Sequence, residues 1–383
     1  MNFAASLFHP SQPGPAPCVE DIAAAYYASV VTKVELACRK AGLELDGLDL
    51  DPEDSCAVGL MCWTAELGAA HELSRGPMAL PGMAAAQVAL CNARLGKALD
   101  LELALTPAVG LIFAGMPLPR ADRLRIRSSE DEVHLRVGEK ALVFRREGGR
   151  LVLLDRPTVL RTFISPRDVI VTGGSCGDVA ISNASDIAIG SDVFPRAVEN
   201  VGQAFEFISE VAPEYGPWTR LIRQVHLFSS GFGDDWQRHA GRSSPWRPGY
   251  IVATAPATVS LQAETLIHES SHQYFYMMQM LSPVGTQEAA GLELTSPLNG
   301  KRREISRYML AYHAVANMIM FHAKALEKQV DDRSVVQERL RYLRPIALQY
   351  LEDLDAHRDV LSEPANDFWS ASSGLVRKLC NVG

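Results

Sequence analysis

The chain has 383 residues, of which 47% are hydrophobic and 21% charged, with a formal net charge of −8. This is the balance of a soluble globular protein with a large core, and its acidity argues against a nucleic-acid surface. The seven cysteines form no CxxC pair or framework spacing, which excludes a disulfide scaffold and points to reduced thiols in a cytoplasm.

Residues 1–19 hold Pro10, Pro13, Pro15 and Pro17 and read as an irregular arm. The first residues lack a basic region followed by a long apolar core, so no signal peptide is expected. No apolar run reaches membrane-spanning length, and no repeat emerges. From residue 20 to 48, Ile22, Ala25, Tyr26, Ser29, Val30 and Val34 recur at helical spacing. Helical character resumes over Cys56–Leu73 and Met83–Leu99, with Gly and Pro breaks between them. Leu111–Gly115 is a short buried apolar segment.

Near Pro119 the pattern changes to short strands at Leu124–Arg127, Val133–Val137, Ala141–Phe144 and Leu151–Leu154, with glycines at the turns. Two of these alternate apolar residues with Arg or His, so one face is wet and His134 lies on it. Strand character continues at Val169–Thr172, Val179–Ser182 and Ile187–Gly190. Gly173–Gly177 is glycine-rich but lacks the lysine and spacing of a phosphate loop, and reads as a turn. Pro195–Val211 is an amphipathic helix, and Val225–Phe228 a strand. Residues 229–249 form a long loop rich in Gly, Ser, Trp and Arg, which reads either as a binding loop containing His239 or as a surface connector.

Tyr250–Ala255 is a strand ended by Pro256, and Ser260 could cap a helix running to about Leu281. That helix carries His268-Glu269-x-x-His272. Residues four apart on a helix share a face, so the two imidazoles form half of a transition-metal site. Glu269, about 100° round from His268, falls beside the metal, where it can take a proton or orient a ligand. The alternative is two histidines satisfied by carbonyls on a half-buried helix. Further helices are expected after Lys301, over about Val335–Asp355, and from Glu363 to Leu379.

A metal site of this kind needs a third donor. Position 278 is methionine, which rules out a third histidine six residues beyond His272. His313 is the leading candidate because it is central in an apolar helix with small neighbours, the alternative being a core histidine satisfied by a carbonyl. His322 lies about 180° round the same helix, so both cannot face one metal. Glu288, Glu293 and Glu304 are carboxylate alternatives.

Three segments, Pro248–Thr254, Ala263–His272 and Ser296–Arg303 with Tyr312–Val315, resemble the HEXXH-motif peptide-modification proteins associated with ribosomally made, modified peptides. The resemblance implies an Fe(II)- and 2-oxoglutarate-dependent hydroxylase acting on a side-chain β-carbon of a precursor peptide. It implies His268 and His272 as iron ligands and His313 as the third. It also implies an arginine gripping the distal carboxylate of 2-oxoglutarate: Arg303 first, with Arg302 and Arg307 next to it. In that reading Glu269 orients a ligand or the substrate amide. The competing expectations are a zinc peptidase, with Glu269 as general base, and a peptide-binding protein with a degenerate metal site. For the fold, the pattern predicts an α+β protein with a helical N-terminal region (1–118) and a metal-binding catalytic region (119–383). A mostly antiparallel sheet is expected in the middle, with C-terminal helices behind it.

Overall fold

The computed structural model describes residues 7–8, 10, 19–43, 59–75, 79–105, 110–148, 150–154, 160–164, 169–173, 187–229, 241–255, 257–328 and 333–381. It is an α+β fold, helical at both ends with sheets between. Three helices open the described chain: α1 (Val19–Lys40), α2 (Ala65–Leu73) and α3 (Pro81–Arg94). Strands β1 (Leu99–Ala104), β2 (Ile112–Phe113), β3 (Met116–Pro117), β4 (Arg123–Ser128), β5 (Glu132–Val137), β6 (Lys140–Glu147), β7 (Arg150–Leu153), β8 (Leu160–Ile164), β9 (Val169–Gly173) and β10 (Ile187–Ala188) follow. Next come α4 (Phe194–Val211), the one-turn α5 (Tyr215–Trp218), β11 (Gln224–Ser229), β12 (Gly241–Ser243) and β13 (Tyr250–Thr254). The chain then runs through α6 (Val259–Leu281), β14 (Glu293–Thr295), β15 (Arg302–Glu304), α7 (Ile305–Glu327), α8 (Arg333–Ala356) and α9 (Glu363–Asn381).

The five-stranded sheet has the order β1-β4-β5-β6-β7 and is antiparallel throughout. Its alternation follows the sequence: Val133, Leu135 and Val137 are buried, while His134 and Arg136 face water. The sequence reading did not include β1, whose Leu99 and Leu101 point inward between exposed Asp100 and Glu102. Because β1 pairs with β4, the N-terminal region contributes a strand across the expected boundary at 118, and one hydrophobic core joins the two regions.

The six-stranded sheet departs from an antiparallel expectation at its centre. Its order is β12-β13-β11-β9-β8, with β10 also on β11, and β11 runs parallel to both β9 and β13. β9 and β13 are buried at every residue, as befits parallel strands covered on both faces. The parallel strand β13 feeds α6, which packs between α4 and α7. Thr258 caps α6 by accepting from the Leu261 amide at 3.4 Å, two residues earlier than the expected Ser260. Gln273 on α6 ties the N-terminal helices to this layer: its Oε1 accepts from Trp63 Nε1 at 3.0 Å and from the Gly249 amide at 2.9 Å. Gly249 has φ +69°, and a Cβ there would meet the Trp63 carbonyl at 2.5 Å, so this junction requires glycine. Residues 179–182 and 239, and most of the 173–177 glycine stretch, lie outside the described residues.

Candidate metal centre

The helix α6 is buried along most of its length, yet His268 and His272 lie on a stripe that keeps some access to solvent, with 29% of the His268 side chain exposed. Their rings stand 4.5 Å apart, centre to centre, at 79°. Glu269 is fully buried beside them, its Oε1 3.8 Å from His268 Nε2. The ligand atoms of His268, Glu269 and His272 all lie within 4.8 Å of one another, and among the described residues this is the one such cluster that could hold a metal ion.

The electrostatics of the cluster follow from burial. Burial pushes the Glu269 carboxyl up to about 8, against the Ser243 hydroxyl and the Arg242 charge, which draw it down. Neither Glu269 oxygen meets hydrogen-bond geometry with a partner among the described residues, and neither does the buried Nδ1 of His272. Burial, then the charges of His268, His313 and Arg307, hold the His272 imidazole well below its ordinary pKa and favour the neutral form that ligates metals. Buried polar atoms without partners are rare in folded proteins. Here they converge, and a divalent cation on the two imidazoles would supply the missing charge. With Glu269 as the further oxygen donor within 4.8 Å, the three residues present fit a metal.

The seat for Glu269 is made by β12. A Cβ on Gly241 would meet Glu269 Oε1 at 2.6 Å and Thr265 Cγ2 at 2.7 Å, so the missing side chain at 241 creates the space that the carboxylate fills. Tyr276, one turn beyond His272, extends the same stripe, with its ring 6.2 Å from that of His272. Burial and the Glu269 charge push its hydroxyl up to about 12, while Ser243 and Arg307 draw it down.

His313 is not brought to this cluster. It lies in an aromatic box, its ring 4.8 Å from Phe8, 4.6 Å from Phe368, 6.0 Å from Trp218 and 6.1 Å from Phe275. Its Nε2 sits 2.5 Å from the Phe8 carbonyl oxygen, which also accepts from Asn317. That contact commits Nε2 to the carbonyl, and His313 is not among the residues whose ligand atoms gather within 4.8 Å of the imidazole pair. Of the two expectations for His313, the structure places it in the carbonyl-satisfied arrangement and outside the His268–Glu269–His272 cluster. Glu288, Glu293 and Glu304 are exposed and outside the cluster, and Glu293 pairs with Arg302 at 3.0 Å.

The arginines separate as well. Arg307, on the first turn of α7, acts on both His272 and Tyr276. Arg303 lies on β15 before the helix starts, and its charge acts on Tyr350 of α8. Of the three arginines expected at the co-substrate, Arg307 is beside the imidazole pair, Arg303 acts on α8, and Arg302 pairs with Glu293. His322 turns to Glu264, as its position opposite His313 requires.

Sequence reasoning missed Tyr276, Ser243 and Arg242. The spacing of Tyr276, four beyond His272 and eight beyond His268, was a usable signal. The two residues on β12 come from a distant segment and gave none. No protein-family model matches the chain, and neither does any curated protein.

Proposed function

We propose that this chain is a non-haem iron, 2-oxoglutarate-dependent oxygenase that hydroxylates a side-chain β-carbon of a ribosomally made precursor peptide. The observation that carries the reading is the convergence of His268 and His272 on a buried carboxyl, Glu269, whose oxygens meet hydrogen-bond geometry with no partner among the described residues and feel only the nearby Ser243, Arg242 and His268. Two imidazoles with a nearby carboxylate are the donor chemistry typical of mononuclear iron sites. With dioxygen, the iron and 2-oxoglutarate supply oxidation of an unactivated C–H bond, leaving succinate and carbon dioxide.

The chain's own residues would do the rest. His268 and His272 would hold the iron, and Glu269 is the one further donor within 4.8 Å of them among the described residues. Glu269, shielded from water, would balance its charge and orient what binds there. Arg307 would grip the distal carboxylate of 2-oxoglutarate with its guanidinium fork, and the Tyr276 hydroxyl, protonated at neutral pH, would donate to the same anion. The zinc-peptidase reading uses the same motif with Glu269 as base. The guanidinium beside His272 suits the distal carboxylate of 2-oxoglutarate, and the exchange Arg307→Ala tests that role.

Anaerobic protein mixed with Fe(II) and 2-oxoglutarate should develop a weak visible charge-transfer band. Arg307→Ala should weaken 2-oxoglutarate binding while sparing Fe(II). Absence of the band, together with tight zinc binding and peptide cleavage, overturns the proposal in favour of the peptidase.

A further inference from the structure

A cavity of about 1060 Å³ opens between α1, α2, the 245–246 turn, the C-terminal end of α6 and the start of α7. One stripe of α1 lines it from end to end: Ile22, Tyr26, Ser29, Lys33, Leu36 and Lys40, spaced alternately four and three apart. At 1.5 Å per residue this stripe runs about 27 Å. The cavity is therefore a groove, longer than a small metabolite, and its volume is at the upper end for small-molecule pockets.

Two properties of the lining point to its occupant. The first is charge. Lys33, Lys40, Arg75 and Arg307 line the groove, and no Asp or Glu does so among the described residues, although acidic residues outnumber basic ones in the chain by 45 to 37. The second is apolar exposure. Among the described residues, nine large hydrophobic side chains are exposed, and four of them, Leu36, Trp246, Met280 and Leu281, line this groove. Exposed apolar side chains gathered in one place mark an interaction surface, and their mixture with cations of one sign selects a complementary partner. A phosphate backbone would use the cations but leave the apolar residues wet.

We infer that the groove docks an acidic segment of a peptide, anchored by apolar side chains and steered by Lys33, Lys40 and Arg75. The inference rests on the peptide-modifying reading above and names the chemistry of the substrate. Tyr276 and Arg307 belong both to the groove wall and to the surroundings of His272, so a segment lying along α1 would lead the chain towards the metal pair.

The test is fluorescence anisotropy on the full-length, metal-free protein. The probe is a fluorescein-labelled amphipathic peptide of Leu and Glu, about 18 residues long to match the stripe at 1.5 Å per residue. It should bind, and added salt should weaken it. Lys33→Glu combined with Lys40→Glu should weaken it on the order of tenfold or more, and Leu36→Asp should weaken it independently of salt. These three side chains are exposed, so the variants should keep the wild-type melting curve.

Equal binding of a Leu and Lys peptide overturns the inference, as does binding unaffected by the variants. Displacement of the probe by dodecanoate would make the groove an amphiphile site, and tighter binding of a single-stranded oligonucleotide would make it a nucleic-acid track. Concentration-dependent dimerisation abolished by Leu36→Asp would make it a self-interface. Because the probe is read without metal, failure here leaves the iron reading standing, and failure of His268 and His272 to bind iron leaves the groove result standing.

Discussion

Helix α6 carries two buried glutamates five residues apart, and the structure treats them in opposite ways. At Glu264, burial alone would raise the carboxyl pKa. Hydrogen bonds and charge from His322 and Arg339 more than reverse this and hold it well below the ordinary carboxylate range. His322 Nε2 lies 2.6 Å from one oxygen, Arg339 Nε donates to that oxygen at 2.8 Å, and Arg339 Nη2 donates to the other. At Glu269, burial wins and the carboxyl rises to about 8. One acid is consumed in tying α6 to α7 and α8, and the other is held in reserve beside two imidazoles. A buried charge that is already paired has nothing left to offer a ligand, whereas a buried carboxyl that burial keeps largely protonated can give up its proton when a cation arrives.

The sharpest way to break this contrast is to remove a ligand. His268→Ala and His272→Ala should each abolish activity and lower Fe(II) affinity by a factor on the order of 100 or more, with the circular dichroism unchanged. Metal content after gel filtration reads this directly, and full iron loading in either variant would end the metal-centre reading.

Next in size is Glu264→Gln. It leaves the Arg339 and His322 side chains, 14% and 1% exposed, facing an amide, and should cost about 3–5 kcal/mol in urea unfolding. It should also change the acid limb of the stability curve. The folded pKa of Glu264 lies below the unfolded value of about 4.3. Its stabilisation is therefore complete above that value and lost as pH falls towards the folded one. The wild type should lose stability below about pH 4.3 more steeply than the variant. Parallel acid limbs would show that the ion-pair knot does not hold the helices together.

His313→Leu addresses the ligand set. The Phe8 carbonyl keeps Asn317 as a donor at 2.9 Å, so the loss should be about 1–3 kcal/mol of stability with iron affinity unchanged. A folded variant that no longer retains iron would restore His313 as the third ligand.

The residues involved show what the chain disclosed and what it withheld. The helix α6 and its imidazole pair were legible because a four-residue spacing is a local fact. The antiparallel sheet was legible because Arg and His alternate with Val and Leu along β4 and β5. The parallel centre was not, since β9 and β13 are buried throughout and carry no alternation to assign a partner or direction. β1 did alternate, but it follows directly on an alanine-rich helical stretch. The fate of His313 is decided by Phe8, 305 residues away, and no local pattern encodes that contact. Arg303 and Arg307 differ because α7 begins at Ile305: four residues would bring them to one face of a helix, but Arg303 is still on a strand.

The smallest expected change in stability is also the most discriminating. Glu269→Gln removes no hydrogen bond that meets ordinary geometry among the described residues, so the metal-free variant should unfold within about 1 kcal/mol of the wild type. That near-neutrality, set against the large cost at Glu264, is the contrast in its purest form, because the chemical change is identical and the helix is the same. Its effect on function then divides the two chemistries. In a peptidase, an amide cannot accept the proton of the attacking water, and cleavage should fall by a factor on the order of 100–10,000 with zinc retained. In the oxygenase, the amide still fills the seat beneath Gly241 but no longer balances the metal's charge, so iron should bind more weakly while saturating iron restores partial hydroxylation. A stability loss as large as that of Glu264→Gln would mean that Glu269 has partners after all, and that the case for a reserved carboxylate fails.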